Sequence, residues 1–419
     1  MASSSPSFAD LCRVFGRIGI LSFGGPAAQI ALMHKSLVEE QKWLTEADFL
    51  KALSFCMLLP GPEAMQLATY AGWKQRGVAG GLIGGGLFVL PGAIVISILA
   101  YLYLSFGALP VVQAVFLGIQ AAVVVIVIEA LIKLARRALI SIRHRIIAIA
   151  AFVALYVFAV PFPLVIAVAA VVAALGSGTA QPAQTVAPVS LRKSALILLV
   201  GLIIWAMPLV VLWLQDSTFL VSLGLFFSKL AVVTFGGAYA VLAYMTQEVV
   251  VNLEWLTTEQ MIDALGLAET TPGPLILVTQ FVGMLAGAAQ GGAQMAFVAG
   301  ALTLWVTFVP CFIWIFAGAP LIDWLDGQPR LRKALAGVMA AVVGVIASLS
   351  LWFAFHVFFG TVTQFNAGPV TTFIPDVSDI HLKAVALSLV AAYLIFRRQM
   401  PLPATLAICA ILGAFAGTL

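Results

Sequence analysis

The chain alternates long apolar runs with short polar breaks. Thirteen apolar runs fall at roughly 8–33, 52–71, 80–106, 111–132, 146–160, 161–176, 194–214, 219–245, 262–288, 292–318, 334–357, 381–396 and 401–418. Most reach the ~20 residues that an α-helix needs to cross the hydrocarbon core of a bilayer. Two runs are interrupted by Gly and Pro and need not cross fully. The pattern predicts an all-α polytopic membrane protein with about 13 membrane segments.

Composition supports that class and removes others. Of the 419 residues, 63% are hydrophobic and 9% are charged, whereas a soluble domain has ~25% charged residues. So few charges cannot solvate a soluble enzyme or supply the basic face of a nucleic-acid-binding protein. The apolar content is also too high for a disordered chain. The first ten residues, MASSSPSFAD, lack the basic region of a signal peptide and are expected to form a short tail.

The two halves of the chain repeat each other. A Gly/Pro/Ser/Gln-rich linker, 176–190, lies near the middle of the chain and separates the two halves. Residues 15–62 align with 227–274 at a constant offset of 212, without gaps and with 16 identities in 48 positions. The aligned pairs include Phe-Gly-Gly at 23 and 235, Trp-Leu-Thr at 43 and 255, and Pro-Gly-Pro at 60 and 272. We interpret the match as an internal duplication.

The duplication predicts two repeats of opposite orientation. Residues 1–176 would form an N-terminal repeat of six segments, 177–218 a linker and connector helix, and 219–419 a C-terminal repeat of six segments. Six segments plus one connector invert the second copy, so the N-terminus is expected in the cytoplasm and the C-terminus in the periplasm. Basic residues agree, because fourteen fall in the predicted cytoplasmic loops and four outside. The fourteen are Lys74, Arg76, Lys133, Arg136, Arg137, Arg143, Arg145, Arg192, Lys193, Arg330, Arg332, Lys333, Arg397 and Arg398, and the four are Lys35, Lys42, Lys51 and Lys383. Inverted repeats are typical of secondary transporters that work by alternating access.

The paired Pro-Gly-Pro segments, 60–62 and 272–274, are the first candidate site. Two prolines and a glycine cannot continue a helix, yet both segments lie within apolar runs. We expect discontinuous helices whose second halves begin near Pro62 and Pro274. Such starts present free N–H groups and a positive dipole end, which suits an anion. The alternative is a proline kink that only shapes packing.

Ser22-Phe23-Gly24-Gly25 and Thr234-Phe235-Gly236-Gly237 form the second paired element. Small residues there can serve close helix packing. They can also mark local unwinding that exposes backbone N–H groups, with the two hydroxyls as added donors. Both interpretations stay open, and they are compatible.

Charged residues inside the apolar runs are few, and some of them are paired across the repeat. Arg17 and Lys229 stand five residues before the second element and are equivalent at the offset of 212. Either the two cations help to bind a dianion or they extend to the membrane interface. Glu63 and Glu269 adjoin the Pro-Gly-Pro segments and are candidates for proton coupling. Their alternatives are a helix-start carboxylate for Glu63 and an ion pair with Lys229 or Arg17 for Glu269.

No nucleophile elbow, nucleotide loop, His pair for a metal or catalytic triad is present, so neither a cofactor nor a metal is expected. The candidate substrate-binding residues are those of the paired elements together with the paired cations and Glu63: Arg17, Ser22, Phe23, Gly24, Gly25, Pro60, Gly61, Pro62, Glu63, Lys229, Thr234, Phe235, Gly236, Gly237, Thr270, Thr271, Pro272, Gly273 and Pro274.

Three motifs resemble signatures of the chromate ion transporter family. They are Ser-Phe-Gly-Gly-Pro at 22–26, Leu-Leu-Pro-Gly-Pro-Glu-Ala at 58–64 with Gly72-Trp73, and Ala-Glu-Thr-Thr-Pro-Gly-Pro-Leu at 268–275. The resemblance covers both halves of the chain. It implies a long-chain member with thirteen spans in the bacterial inner membrane, which exports chromate and confers chromate resistance. Sulfate would be the natural tetrahedral look-alike.

The expected function is secondary transport of a tetrahedral oxyanion across the inner membrane by alternating access. Chromate or sulfate, protons and the lipid bilayer are the expected partners, nucleic acid is not, and a homodimer is compatible with the sequence. Two alternatives stay open. One is a membrane-embedded enzyme acting on a lipid or polyprenyl phosphate, and the other is an anion channel of the same fold. Direction, coupling ion and substrate preference are left undecided by the residues.

Overall fold

A computed structural model describes residues 6–175, 191–235, 238–322 and 328–417. The first half of the chain is helical throughout its described part. Its helices are α1 (Phe8–Leu21), α2 (Gly25–His34, continued by a π-helical turn Lys35–Glu40), α3 (Glu46–Cys56), α4 (Glu63–Phe106), α5 (Pro110–Ala138), α6 (Ile142–Tyr156) and α7 (Phe162–Leu175). Local signals set several starts. Ser7 and Asp10 form a capping box before α1, and Thr45 caps α3.

The second half adds the connector helix and a similar series. These helices are α8 (Leu191–Leu214), α9 (Thr218–Val233), α10 (Ala238–Thr246, continued by a π-helical turn Gln247–Asn252), α11 (Thr258–Thr270), α12 (Val278–Gly318), α13 (Pro329–Phe358), α14 (Leu382–Ala392, continued by a π-helical turn Tyr393–Arg397) and α15 (Leu402–Gly417). Short 3-10 turns, Leu275–Leu277 and Ala319–Leu321, flank α12. An antiparallel hairpin of β1 (Val362–Ala367) and β2 (Val370–Pro375) lies between α13 and α14.

The order of elements recurs between the halves. The π-helical turns after α2 and α10 differ by the same offset of 212 residues as the aligned sequences. Lys42 and Glu254, also 212 apart, both have left-handed φ values, 54° and 49°. A non-glycine residue seldom adopts this conformation, so its repetition at equivalent positions is specific. The duplication therefore extends from sequence motifs to backbone geometry.

The correspondence continues beyond the aligned 48 residues. The 3-10 turn 275–277 is inserted directly after the second Pro-Gly-Pro segment. Both α4 and α12 are then broken, at Arg76–Gly77 and at Gly291–Gly292, with closely similar backbone angles. Each is thus two helices joined by a tight turn. Pro161-Phe162-Pro163 and Pro401-Leu402-Pro403 stand at the starts of α7 and α15, the last helix of each half. The β-hairpin of the second half has no counterpart in the described part of the first half.

Several helices have the length and composition of membrane spans. Among the described residues, five segments qualify: Glu63–Phe106, Pro110–Ala138, Arg192–Leu214, Leu275–Leu321 and Pro329–Phe358. The most apolar window of Arg192–Leu214 has no buried residue, so its apolar side chains are available to lipid. Shorter apolar helices are Phe162–Leu175, Thr218–Val233 and Leu402–Gly417. The predicted class, an all-α membrane protein, is confirmed, while the number of thirteen segments and the inverted orientation stay predictions.

The chain divides into two compact units, and each takes segments from both halves. Unit 1 is formed by the described residues within Met1–Tyr101, Ala180–Ala238 and Thr271–Pro329. Its long helix α12 packs against α8 and α9. The Trp205 indole of α8 donates to the Val306 carbonyl at 2.9 Å, and Gly201 of α8 lies against Ile313. Small residues therefore bring the connector helix close to α12.

Unit 2 contains the described residues within Leu102–Thr179, Tyr239–Thr270 and Arg330–Leu419. Helix α5 is its centre and packs against α11, α14 and α15. Gly118 of α5 and Gly413 of α15 lie in close backbone contact, and Ser388 of α14 donates to the Ala121 carbonyl at 2.8 Å. The predicted repeats are continuous stretches of sequence, whereas each compact unit combines segments from both repeats. The units therefore do not test the repeat boundaries, which stay a prediction. The linker 176–190 lies outside the described residues.

Candidate functional site

The first break in unit 1 lies between α1 and α2. Helix α1 ends at Leu21 and α2 begins at Gly25, with Gly24 in the left-handed region at φ 87°. Ser22 is fully buried, and its hydroxyl donates to the Ile18 carbonyl at 2.6 Å. The start of α2 has no side-chain cap. The break is therefore a helix start with backbone N–H groups that its own helix cannot satisfy.

The second copy of this break has the same geometry. Helix α9 ends at Val233, and the buried Thr234 hydroxyl donates to the Leu230 carbonyl at 2.6 Å. Phe235 N–H donates to the Val233 carbonyl at 3.1 Å, as Phe23 N–H does to Leu21 at 2.9 Å. Gly236 and Gly237 lie outside the described residues. A hydroxyl has one proton, so in this conformation neither Ser22 nor Thr234 donates to a substrate.

The Pro-Gly-Pro segments interrupt their helices as the sequence predicts. Helix α4 begins at Glu63, directly after Pro62, and α12 begins at Val278 after the inserted 3-10 turn. Gly61 and Gly273 have φ values of 116° and 89°. These are conformations that favour glycine, which explains why the motif needs one at each place.

Each Pro-Gly-Pro segment is hydrogen-bonded to the helix break of the other repeat. The Gly61 N–H donates to the Thr234 carbonyl at 2.8 Å, and the Gly273 N–H donates to the Ser22 carbonyl at 2.9 Å. Both acceptors lie just past a helix end, where a carbonyl lacks a helical partner. The two bonds are related by the offset of 212, so the repeats exchange the same contact. We call these two contacts the reciprocal crossings.

Glutamine side chains support the crossings. Gln29, 2% exposed, donates through Nε2 to the carbonyls of Ser22 and Gly273, at 3.2 and 2.7 Å. Gln66 is fully buried, and its Nε2 donates to the Pro60 carbonyl at 2.6 Å. Its Oε1 is buried without a hydrogen-bond partner among the described residues. Neither amide is among the residues predicted from the sequence, although a glutamine within an apolar run is a signal that could have found each of them.

Helix backbones approach the crossings closely. A side chain at Gly92 of α4 would meet the Pro272 carbonyl oxygen and the Leu277 side chain. At the other crossing, a side chain at Gly61 would lie 2.8 Å from Cys311 Sγ of α12 and 2.9 Å from Gln66 Nε2. Each Pro-Gly-Pro segment therefore rests on the long helix of the opposite repeat.

The two paired cations are exposed. Helix α1 buries Leu11, Phe15, Ile18 and Gly19, and α9 buries the equivalent positions of the second repeat, so Arg17 and Lys229 fall on the outer faces. The side chain of Arg17 is 69% exposed and lies 3.8 Å from Glu40. Lys229 is exposed and also makes side-chain contacts. Position within an apolar run suggested burial, but the helical period turns these residues outward.

The two candidate acids differ in placement. Glu63 is the first residue of α4 and half-buried. Glu269 lies in the last turn of α11 and is 6% exposed. Thr271, Pro272, Gly273 and Pro274 beside it are also buried. Within the described residues, no group of three or more His, Cys, Asp or Glu is placed to hold a metal ion.

Comparison with known proteins decides the family. A family model described as "Chromate transporter" matches residues 9–176 and 221–414. The chain belongs to the chromate transporter family. A "Chromate transport protein" of Cupriavidus metallidurans is 32% identical over 80% of this chain and 80% of its own length. A "Probable chromate transport protein" of Synechococcus elongatus is 31% identical over 81% and 83%, and a "Chromate transport protein" of Pseudomonas aeruginosa is 30% identical over 82% and 80%.

Membership in the chromate transporter family confirms the resemblance read from the motifs. The chain is a transport protein rather than an enzyme, so the alternative of an enzyme on a lipid phosphate is removed. The family and the long apolar helices together make it a multi-pass membrane protein. No solved structure matches the chain, so the reciprocal crossings rest on the geometry described above.

Proposed function

We propose that this protein exports chromate across the bacterial inner membrane by alternating access of two inverted repeats. The substrate assignment rests on the family and on the names of its relatives. The mechanism rests on one observation, the reciprocal crossings at Gly61–Thr234 and Gly273–Ser22. Two equivalent contacts in one chain allow two states in which the repeats exchange roles.

The oxyanion is bound by backbone N–H groups at helix starts. Helices α2 and α4 each begin within three residues of a crossing residue, and their first N–H groups have no acceptor within their own helix. The start of α12 is separated from Gly273 by the 3-10 turn Leu275–Leu277, which accepts the Val278 N–H. Chromate carries two negative charges, and sulfate has the same charge and shape, so sulfate is expected to compete. We assign this role to four segments, 22–25, 60–63, 234–237 and 270–274. Their prolines have no N–H, and the N–H groups of Gly61 and Gly273 donate across the crossings, so the oxyanion would be bound by the remaining N–H groups.

Arg17 and Lys229 supply positive charge on the approach to these helix starts. Their exposure and their equal places in the two repeats suit attraction of a dianion from either side. Exposed charges act mainly on the rate of encounter, and salt weakens their effect. This role differs from direct coordination, and the salt dependence separates the two.

The direction follows from the membrane potential. An inside-negative potential favours outward movement of an anion by ~2.3 kcal/mol per charge per 100 mV. Export of chromate therefore needs no other energy source. Glu63 and Glu269 are candidates for an added proton step, because each lies beside a Pro-Gly-Pro segment.

The test is chromate uptake by everted membrane vesicles at low substrate and low salt. We expect Arg17→Ala to reduce the initial rate about tenfold, with a smaller loss at high salt. Lys229→Ala, at the equivalent place of the inverted repeat, should have the same effect on entry from the other side, measured in right-side-out vesicles. Arg13→Ala is the matched control, since Arg13 lies one turn earlier on α1, is also exposed and pairs with Asp10. Position 225, its equivalent, is a leucine. Variants that match Arg13→Ala would reject the role of the cations, and wild-type vesicles without chromate uptake would reject the function.

A channel of the same fold is the remaining alternative. A carrier saturates with substrate and shows counterflow, in which internal unlabelled chromate accelerates entry of labelled chromate. Flux in proteoliposomes that rises linearly with concentration and shows no counterflow would favour the channel.

A further inference from the structure

A buried carboxyl group lies in unit 2, outside the elements discussed so far. Asp263, in the middle of α11, is 7% exposed. Its Oδ2 accepts a hydrogen bond from the Tyr103 hydroxyl at 2.8 Å, and its Oδ1 accepts one from Gln120 Nε2 at 2.7 Å. Tyr103 belongs to the end of α4 and Gln120 to α5. We call these three residues the Asp263 cluster.

Burial of this acid is costly and is not required by the repeat. Every residue from Met261 to Glu269 is buried, so Asp263 lies in a buried stretch of α11. A carboxylate in such a place is destabilised unless it is paired, protonated or hydrogen-bonded. The equivalent position in the first repeat is Lys51, which is exposed. A feature that one repeat has and the other lacks calls for a function of its own.

The Asp263 cluster can accommodate the acid with or without a proton. Toward a carboxylate, both the tyrosine hydroxyl and the glutamine amide act as donors. A protonated carboxyl group has one O–H, so it can donate to either the Tyr103 hydroxyl or the rotated Gln120 amide, and the bond from the other partner is weakened. Both partners are neutral, so neither locks Asp263 in its charged form as a lysine or arginine would.

Few other titratable groups face Asp263. On its own helix, Glu259 lies one turn earlier and is exposed. Helix α5 has its first charged residue at Glu129, nine residues beyond Gln120, or ~13 Å along the helix. Helix α15, which also packs on α11, has only Cys409 as a titratable residue, and α4 has only Tyr101 and Tyr103 after Arg76. A proton-dependent change at this place is therefore carried by Asp263.

The Asp263 cluster is continuous with the second crossing through the chain. Helix α11 ends at Thr270 and leads directly into the Pro-Gly-Pro segment whose Gly273 bonds Ser22. Tyr103 ends the same helix α4 whose Gly92 packs on Pro272. Asp263 and Tyr103 thus lie on two chain segments that continue into residues of this crossing.

We propose that Asp263 is a proton-binding site that couples oxyanion transport to the pH gradient across the membrane. The proposal rests on the oxyanion transport proposed above. Protonation would weaken the bonds from Tyr103 and Gln120 and release α11 from α4 and α5, and deprotonation would restore them. Asp263 would then bind and release one proton in each transport cycle, and this would couple oxyanion movement to the pH gradient.

The experiment uses the purified full chain in proteoliposomes, with labelled sulfate as the probe and the membrane potential clamped at zero. Exchange at equal pH on both sides measures transport itself. Net uptake with and without an imposed pH gradient measures coupling. For wild type we expect exchange, and a several-fold change in net uptake on imposing the gradient. Asp263→Asn should keep exchange and lose the response to the gradient.

The matched control is Glu259→Gln, the same chemical change on the same helix at an exposed position. It should respond to the gradient as wild type does. An Asp263→Asn protein with a wild-type response would overturn the proposal, and so would wild-type protein that exchanges sulfate without responding to a gradient. The latter result leaves oxyanion transport intact, whereas absence of exchange in wild type rejects both.

Tyr103→Phe keeps the proposal testable if Asp263→Asn fails to fold. This variant removes one donor to the carboxylate and retains the ring. We expect the inflection in the pH profile of exchange to move by about one pH unit to the alkaline side, since a hydrogen bond that favours the charged form is lost. A profile that superimposes on that of wild type would overturn the proposal.

Discussion

The two reciprocal crossings have the same backbone and different side chains. In each, a glycine N–H donates to the carbonyl at the end of the opposite repeat's helix, at 2.8 and 2.9 Å. In each, the hydroxyl before the Phe-Gly-Gly break donates back to its own helix at 2.6 Å. Around Gly273 the contacts are the Gln29 amide and the bare backbone of Gly92. Around Gly61 they are Gln66 and the thiol of Cys311.

The fold requires the backbone hydrogen bonds of the crossings, which both copies have, and tolerates different side chains around them. The backbone bonds persist in both copies because the prolines leave helix ends that must be satisfied inside the protein. Gln29 has Val241 at its equivalent position, and the residues that approach the Pro-Gly-Pro segments from the opposite repeat are Gly92 in one crossing and Cys311 in the other. Each crossing therefore has one buried glutamine, but from a different helix, and the second crossing has the closer backbone contact, at Gly92. We expect the two crossings to tolerate substitution unequally.

The largest effect is expected from Gly92→Ala. The new methyl group would meet the Pro272 carbonyl, which is backbone and cannot rotate away. Overpacking of this kind costs about 1–3 kcal/mol, and here it also displaces the second Pro-Gly-Pro segment. Thermal unfolding of the purified protein and chromate flux in vesicles should both show a clear loss.

Gly86→Ala is the control for Gly92→Ala. It lies on the same helix, and a side chain there meets nothing within 4 Å. Stability should be unchanged or slightly higher, because alanine favours a helix by up to ~1 kcal/mol over glycine. Equal behaviour of the two variants would contradict the tight packing at Gly92.

Much of this fold could be predicted from the sequence. Apolar runs and scarce charges were sufficient to assign an all-α membrane protein, because a bilayer demands long apolar helices. Pro60 to Pro62 and Pro272 to Pro274 marked the helix breaks, since their backbone cannot continue a helix. The β-hairpin at 362–375 was not predicted, because a short insertion hardly alters hydropathy.

The candidate site was less predictable. The Pro-Gly-Pro motifs were predicted as helix breaks and the Phe-Gly-Gly motifs as either packing sites or breaks, but the hydrogen bonds between the two kinds of motif join residues more than 170 positions apart in the chain. Local pattern contains no information on such pairing. Gln29 and Asp263 were overlooked for another reason, which is that one sequence does not show whether a lone polar residue faces the core or the surface. Arg17 shows the converse, because the period of α1 turns it outward.

The next effect is expected from Gln29→Val, which gives the first repeat the residue of the second. The change removes the donor that serves the Ser22 and Gly273 carbonyls. A buried polar group that loses its partner costs about 1–3 kcal/mol. The Ser22 carbonyl keeps its bond from the Gly273 N–H, so the cost should fall at the lower end. The unfolding midpoint in detergent measures this.

Gln41→Leu is the matched variant for Gln29→Val. It also replaces a glutamine of the first repeat by the residue of the second, Leu253, but at an exposed position. We expect little change in stability. If Gln29→Val is as harmless as Gln41→Leu, the Gln29 amide contributes nothing to the stability of the second crossing.

The smallest expected effect is on the pH dependence of stability, through an interaction of His34 that only the first repeat has. His34 lies between Glu46, 2.6 Å from Nε2, and Glu39, 3.2 Å from Nδ1. The hydrogen bond to Glu46 raises the pKa of His34 above its usual 6.5, and both acids add to this. The second repeat has Thr246, Thr258 and Val251 at these places, so it lacks the interaction.

A raised pKa in the folded state means that the folded protein holds the proton more tightly than the unfolded chain. The stabilisation is therefore complete below about pH 6.5 and is lost as the pH rises through the raised value. We expect His34→Gln to reduce the free energy of unfolding more at about pH 6 than at about pH 9. The difference should be typical of a surface ion pair, ~0.5 kcal/mol, and is measured from the unfolding midpoints at the two pH values. In a Glu46→Gln background most of that difference should disappear, because the main cause of the raised pKa is gone. A His34→Gln effect that does not vary with pH would show that His34 contributes by packing on Phe49 and not by charge.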